Sequence, residues 1–168
     1  VLGIDPGVSK TSPGALALVD SLGSKLILVQ YLPLSQDRKG RAILDETSLL
    51  GFLDLWRDQI ALAVIEDPNS HGHEGRASLW RFAQVCAQVP TICRCLGIKT
   101  QLVKPSTWKA SMGLSKDKKQ SLEWARNAFP DSESFIRIKD HGRAEAAALA
   151  ILGIKQFLPV INLGRLRA

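Results

Sequence analysis

The 168-residue chain is 45% hydrophobic and 23% charged, with mean hydropathy +0.02. That balance fits one domain (residues 1–168) with a buried core and excludes a disordered chain. No run of about 18 apolar residues occurs, so no membrane span is expected, and the strand-like start lacks the charged leader of a signal peptide. Lysine and arginine outnumber aspartate and glutamate by 22 to 16, a net +6 that suits a polyanionic partner without demanding one.

VLGID (1–5) reads as a buried strand, which Pro6 and Gly7 are expected to stop. ALALVD (15–20) and KLILVQYLPL (25–34) read as two more strands joined by the turn SLGS, making an antiparallel meander. The segment 45–60 has apolar residues at Leu49, Leu50, Leu53, Trp56 and Ile60, a helical spacing, with Asp45 or Thr47 placed to cap it. ALAVIED (61–67) is a short apolar strand ending in Glu66 and Asp67, followed by a Gly- and His-rich loop, PNSHGHEGR. A second helix, 77–97, is expected to break or kink near Pro90. KTQLVKP (99–105) is a strand, 106–113 a short helix, 116–129 a third helix, and 140–157 an alanine-rich last helix. Strands alternating with helices after an initial meander predict an α/β fold: a mixed five-stranded sheet with helices on both faces. The tail after Leu158 reads as loosely attached. The three cysteines, Cys86, Cys93 and Cys95, have no partner spacing for zinc and read as plain thiols.

Acids stand where strands end or helices begin. Asp5 closes the first strand, Glu66 closes AVIE, Asp140 precedes the last helix and Glu145 lies in its second turn. If the first strand and AVIE are parallel neighbours, Asp5 and Glu66 sit side by side at one end of the sheet, where ligands gather in α/β folds. Carboxylates so placed repel one another unless a cation joins them, and hard oxygen ligands select Mg²⁺ or Mn²⁺. Asp140 and Glu145 are i and i+5, about 140° apart around a helix. They reach one site only if Asp140 lies at or before the N-cap, its side chain bent forward. His141 and Glu145, i and i+4, share a face. Each acid also has a plainer reading: Asp5 as a turn residue, Glu66 as a polar strand end, Asp140 as an N-cap and Glu145 as a solvated helix position.

LGIDPG, VIED, VKPSTWK and KDHGRAEAAALA, in this order over residues 1 to about 157, resemble the RuvC-like branch of the RNase H-like superfamily, the Holliday-junction resolvases. DHGRAEA is most similar to the subgroup of phage-type and plastid resolvases. The resemblance implies that Asp5, Glu66, Asp140 and Glu145 hold metal, assisted by His141. Asp5 with the last-helix acids would hold one ion beside the attacking water, and Asp5 with Glu66 the other beside the leaving 3′ oxygen. It also implies a homodimer that makes two symmetric nicks in a four-way DNA junction. The setting would be the cytoplasm of a bacterium or phage host, or a chloroplast nucleoid. The extra stretch SKTSP beside Asp5 departs from the family pattern.

With that substrate, Arg76, Arg81, Lys104, Lys109, Lys116, Lys118, Lys119 and Arg143 are expected phosphate contacts, and Trp108 sits among the lysines. The loop Asn69 to Arg76 is expected to enter the junction centre and help choose the cut site. Trp56, Trp80 and Trp124 fit helix spacing and read as core, with Trp80 alternatively at a dimer interface or near bases. Two rivals remain: an RNase H-like nuclease acting on structured RNA, of the YqgF type, and a non-catalytic DNA-binding module. A sugar-kinase or actin-like ATPase also begins G-I-D-x-G, but it needs two lobes that 168 residues do not supply.

Overall fold

In a computed structural model, residues 1–9, 13–68 and 75–158 are described. The first strand, β1 (Leu2–Val8), pairs antiparallel with β2 (Pro13–Val19), which pairs antiparallel with β3 (Leu26–Tyr31). After α1 (Glu46–Trp56), β6 (Ala63–Glu66) returns parallel to β1, and after α2 (Arg76–Cys95), β7 (Thr100–Val103) adds parallel to β6. The sheet order is β3-β2-β1-β6-β7, so five strands form the expected mixed sheet. A separate hairpin, β4 (Leu34–Gln36) with β5 (Ala42–Leu44), stands between β3 and α1. The short α3 (Pro105–Ser111) and α4 (Lys118–Ala128) precede the last helix, α5 (His141–Leu152). Among the described residues no helix is long and apolar enough to cross a membrane.

The period of two along each strand divides the core into two layers. Leu2 and Ile4 of β1, Leu16 and Leu18 of β2, and Ala63 and Ile65 of β6 pack with Leu49 and Leu53 of α1 and Val85 and Val89 of α2. The opposite face carries Val1, Ala15, Ala17, Val19 and Val64, and meets α5. That layer is built from small residues, so α5 lies almost on the strands. A Cβ on Gly3 would stand 1.9 Å from the carbonyl oxygen of Ala146 and 2.5 Å from the amide nitrogen of Ala150. From Ala144 to Leu152 every residue of α5 is buried, Glu145 included. Helices α3 and α4 cover its other side with Trp108, Leu122 and Ala125.

Four local expectations change. Pro6 and Gly7 do not end β1: the strand runs on to Val8, which pairs with Pro13, and the register shifts between Asp5 and Val8. A proline is tolerated where the ladder is interrupted by such an irregularity. The third strand does not reach residue 34, because Pro33 has no N–H to continue the ladder. The chain turns there, and Leu34–Gln36 pairs instead with Ala42–Leu44, a hairpin absent from the sequence reading. Pro90 does not interrupt α2, which is continuous through it. The last helix keeps its α geometry only to Leu152 and ends in one wider π turn, Gly153–Phe157. Asp45 caps α1 as expected, accepting from the Ser48 amide at 3.0 Å. Residues 10–12, within SKTSP, residues 69–74 of the Gly- and His-rich loop, and the tail from 159 lie outside the described residues.

Candidate active site

Strand alternation aims the first two acids. Asp5 follows Val1 and Gly3 on the α5 face of β1, and Glu66 follows Leu62 and Val64 on the same face of β6. The parallel pairing Ile4↔Ile65 brings the two carboxylates side by side at the strand ends. Helix α5 supplies the rest. Gly142 admits the close approach: a Cβ there would stand 3.0 Å from Asp5 Oδ2. His141, just before Gly142, and Glu145, nearly one turn on, face the same cavity, of roughly 770 Å³. Asp5, Glu66, His141 and Glu145 line it together with Lys109, Lys116 and Lys118.

Neighbouring side chains hold Glu66 and Glu145. Trp108 is wholly buried, and its Nε1 donates to Glu66 Oε2 at 2.6 Å. The next residue, Lys109, donates from Nζ to Glu145 Oε1 at 2.7 Å, and Ser121 Oγ donates to the same oxygen at 3.3 Å. His141 Nδ1 lies 3.1 Å from the Ile138 carbonyl. A carbonyl only accepts, so Nδ1 donates to it, the arrangement by which metal-bound histidines are oriented with Nε2 toward the metal. Burial pushes the Asp5 carboxyl well above the usual carboxylate range; Glu66 and Glu145 push it further, and Lys109 and Lys118 oppose them. Glu66 is likewise raised, by burial and by Glu145, against the Trp108 hydrogen bond and Lys109. Three carboxylates thus crowd one cavity where their combined charge is disfavoured, and an imidazole stands beside them. This oxygen-rich donor set fits a hard divalent cation. Among the described residues no three such side chains already stand at ligating distance of one point.

Asp140 is the exception among the predicted acids. It ends a 3-10 turn, Ile138–Asp140, immediately before α5, the position its proposed reach required. Its side chain turns back instead of forward. It is 1% exposed, does not line the cavity, and is taken up by Tyr31 and Arg137. Burial alone would raise this carboxyl, but the hydrogen bonds from Arg137 and Tyr31 overcome that and hold it well below the usual range. Arg143, expected on DNA, lies with its guanidinium 4.0 Å from the Tyr31 ring centre, beside Asp140.

The other predicted cations divide by position. Lys116 and Lys118 are exposed at the cavity mouth, and Arg81 lines it from α2. Arg76 is exposed on an adjoining depression that Arg81, Arg41 and Trp80 also line. Lys104 and Lys119 are exposed but line neither. Lys109 is committed to Glu145. Trp108 is a buried support for Glu66, not a base-facing ring. Trp80 is 68% exposed and so not core, whereas Trp56 and Trp124 are partly buried against the two layers. The adjacent pair Trp108–Lys109 was the missed signal: one short helix serves two acids. Trp108→Phe removes the N–H and also shrinks a fully buried ring, so the lost hydrogen bond and the cavity together are expected to cost about 2–5 kcal/mol in thermal unfolding. Any cation-dependent activity should fall by about tenfold or more. Activity equal to wild type would show that the bond to Glu66 has no part in the site.

Cys93 is buried, Cys86 partly so, and burial pushes both thiols up to about 12. They are packing groups, not nucleophiles.

The sequence matches no family model and no curated protein. The fold does match solved structures. Thermus thermophilus RuvC in complex with a Holliday junction substrate superposes with a TM-score of 0.63 at 12% identity, covering 93% of this chain and 94% of that one. A second Thermus thermophilus RuvC structure gives 0.60 at 13% identity, covering 90% and 93%.

Proposed function

From a chain with the RuvC-like, RNase H-like fold over most of its length, we propose a metal-dependent endodeoxyribonuclease that resolves four-way DNA junctions by paired symmetric nicks. One observation carries the reading: Asp5, Glu66 and Glu145, from three separate elements, converge with His141 in one cavity whose mouth is lined by Lys116 and Lys118. Carboxylates alone would repel DNA. Paired with lysines at the rim and a cation within, they suit a phosphodiester.

Asp5, Glu66 and Glu145 would hold Mg²⁺ or Mn²⁺, with His141 as the fourth side chain. The bound cation would supply Lewis-acid charge to the phosphate as water attacks and the 3′ oxygen leaves. Lys116, Lys118 and Arg81 would seat the phosphates that flank the cut. Trp108 would keep Glu66 aimed into the cavity, and Lys109 would balance Glu145 until a cation takes that charge. Two nicks placed symmetrically need two cavities, so the acting form would be a homodimer matched to the two-fold junction.

The deciding experiment compares cleavage of a four-way DNA junction, a linear duplex and a structured RNA, each with Mg²⁺ or Mn²⁺. The proposal expects paired cuts in the junction, leaving 5′ phosphates and ligatable nicks, and little cutting of the others. Preferential cutting of RNA would favour the structured-RNA nuclease. Junction binding without any cleavage would favour a non-catalytic module.

A further inference from the structure

Asp140 has no room for a metal. A carboxylate offers about four lone-pair sites, and four hydrogen bonds fill them. Oδ1 accepts from Tyr31 Oη at 2.6 Å and Arg137 Nη2 at 2.9 Å. Oδ2 accepts from the Arg137 backbone N at 2.9 Å and its Nε at 3.1 Å. The partner that matters is remote in sequence. Asp5 pairs with Ala15 across β1 and β2, and Ala15 pairs with Tyr31 across β2 and β3. Asp5, Ala15 and Tyr31 therefore form one cross-strand row on one face of the sheet, its ends about 10 Å apart.

The first turn of α5 lies across this row. Over the Asp5 end, a Cβ on Gly142 would be 3.0 Å from Asp5 Oδ2 and 3.9 Å from the Ala15 methyl. Over the other end, Asp140 and Arg143 meet Tyr31. The helix turn is thus divided: residues 141 and 145 face the cavity, and residues 140 and 143 face β3. We infer that Asp140 and Tyr31 form a latch that positions α5, setting His141 and Glu145 against Asp5, and that Asp140 is a positioning residue rather than a metal ligand. This rests on the metal reading above only for what the latch serves.

The test is Mn²⁺ binding by calorimetry, with amide hydrogen exchange of the metal-free protein. Tyr31→Phe, a mild change, and Asp140→Ala should each weaken Mn²⁺ binding by about tenfold, the lower range for a group acting through a ligand. The double variant should be no weaker than Asp140→Ala alone. In a Glu145→Gln background, Tyr31→Phe should add less than it does in wild type, the remainder running through His141. Amides of residues 141–148 should exchange faster in Tyr31→Phe, with those of β1 unchanged. Wild-type Mn²⁺ binding in Tyr31→Phe beside a loss in Asp140→Ala, or losses that multiply, would make Asp140 a ligand and overturn the latch. If wild type itself takes up no Mn²⁺, the metal reading falls, and the exchange data alone decide: unchanged amides at 141–148 would reject the latch.

Discussion

Asp5→Asn should bind a four-way junction as well as wild type and cut it at least about 100-fold more slowly, beyond the loss of a mere supporting group. Binding survives because the change removes a negative charge near DNA and touches no phosphate contact. A cleavage rate near wild type would remove Asp5 from the chemistry. The same variant should be more stable without metal at neutral pH, and the sign follows from the raised carboxyl. A group whose folded pKa lies above its unfolded value subtracts stability as pH rises from the unfolded value, 3.8, through the folded one. Below that window Asp5 is protonated in both states and costs nothing. Above it, wild type holds a disfavoured charge that asparagine never carries. Melting curves of metal-free protein should therefore show Asp5→Asn above wild type near pH 7 and the gap closing in acid. Saturating Mg²⁺ should raise wild type and leave the variant. No gap at pH 7 would mean that the cavity tolerates the charge unaided.

Gly3→Ala should be among the most damaging single methyl groups that can be added. The new Cβ would meet the backbone of α5, 1.9 Å from Ala146 O and 2.5 Å from Ala150 N. No rotamer relieves a clash between main chains, so the helix must leave the sheet. Overpacking typically costs about 1–3 kcal/mol, and a rigid contact of this kind should reach or exceed the top of that range. At this chain length each kcal/mol lowers Tm by about 2–4 °C, so a fall of at least about 6 °C is expected. Gly51→Ala is the control. It lies in α1 with nothing within 4 Å of the added methyl, and should gain about 0.5–1 kcal/mol from helix propensity. Similar melting of Gly3→Ala and wild type would mean that α5 does not sit this close to β1.

Much of this arrangement was legible in the residues. The apolar runs VLGID and ALAVIED gave two buried strands, and an acid at the end of each put Asp5 and Glu66 side by side on the condition, met in the structure, that the strands pair parallel. The i, i+4 spacing of His141 and Glu145 gave the third contribution. What stayed hidden depended on partners distant in the chain. The 140° between Asp140 and Glu145 stated the right condition, an Asp140 at the helix start. Only Tyr31 and Arg137 decide which way its side chain turns there. Trp108 among lysines suggested a DNA surface, because charge clustering along the sequence does not reveal that the ring is buried beneath Glu66. The β4–β5 hairpin was lost for a local reason: its strands are three residues each, too short for a period of two to register.

The two faces of the sheet should differ in how much mutation they tolerate. Toward α1 and α2 the contacts are between aliphatic side chains, whose shapes can trade volume with one another. Toward α5 the closest approach, at Gly3, is between main chains, where no neighbour can shrink to make room. Substitutions under α1 and α2 can therefore accumulate without moving the acids. On the other face almost any enlargement displaces the helix that carries two of the cavity's four key side chains. Libraries built for stability should diversify the first face and leave the second untouched.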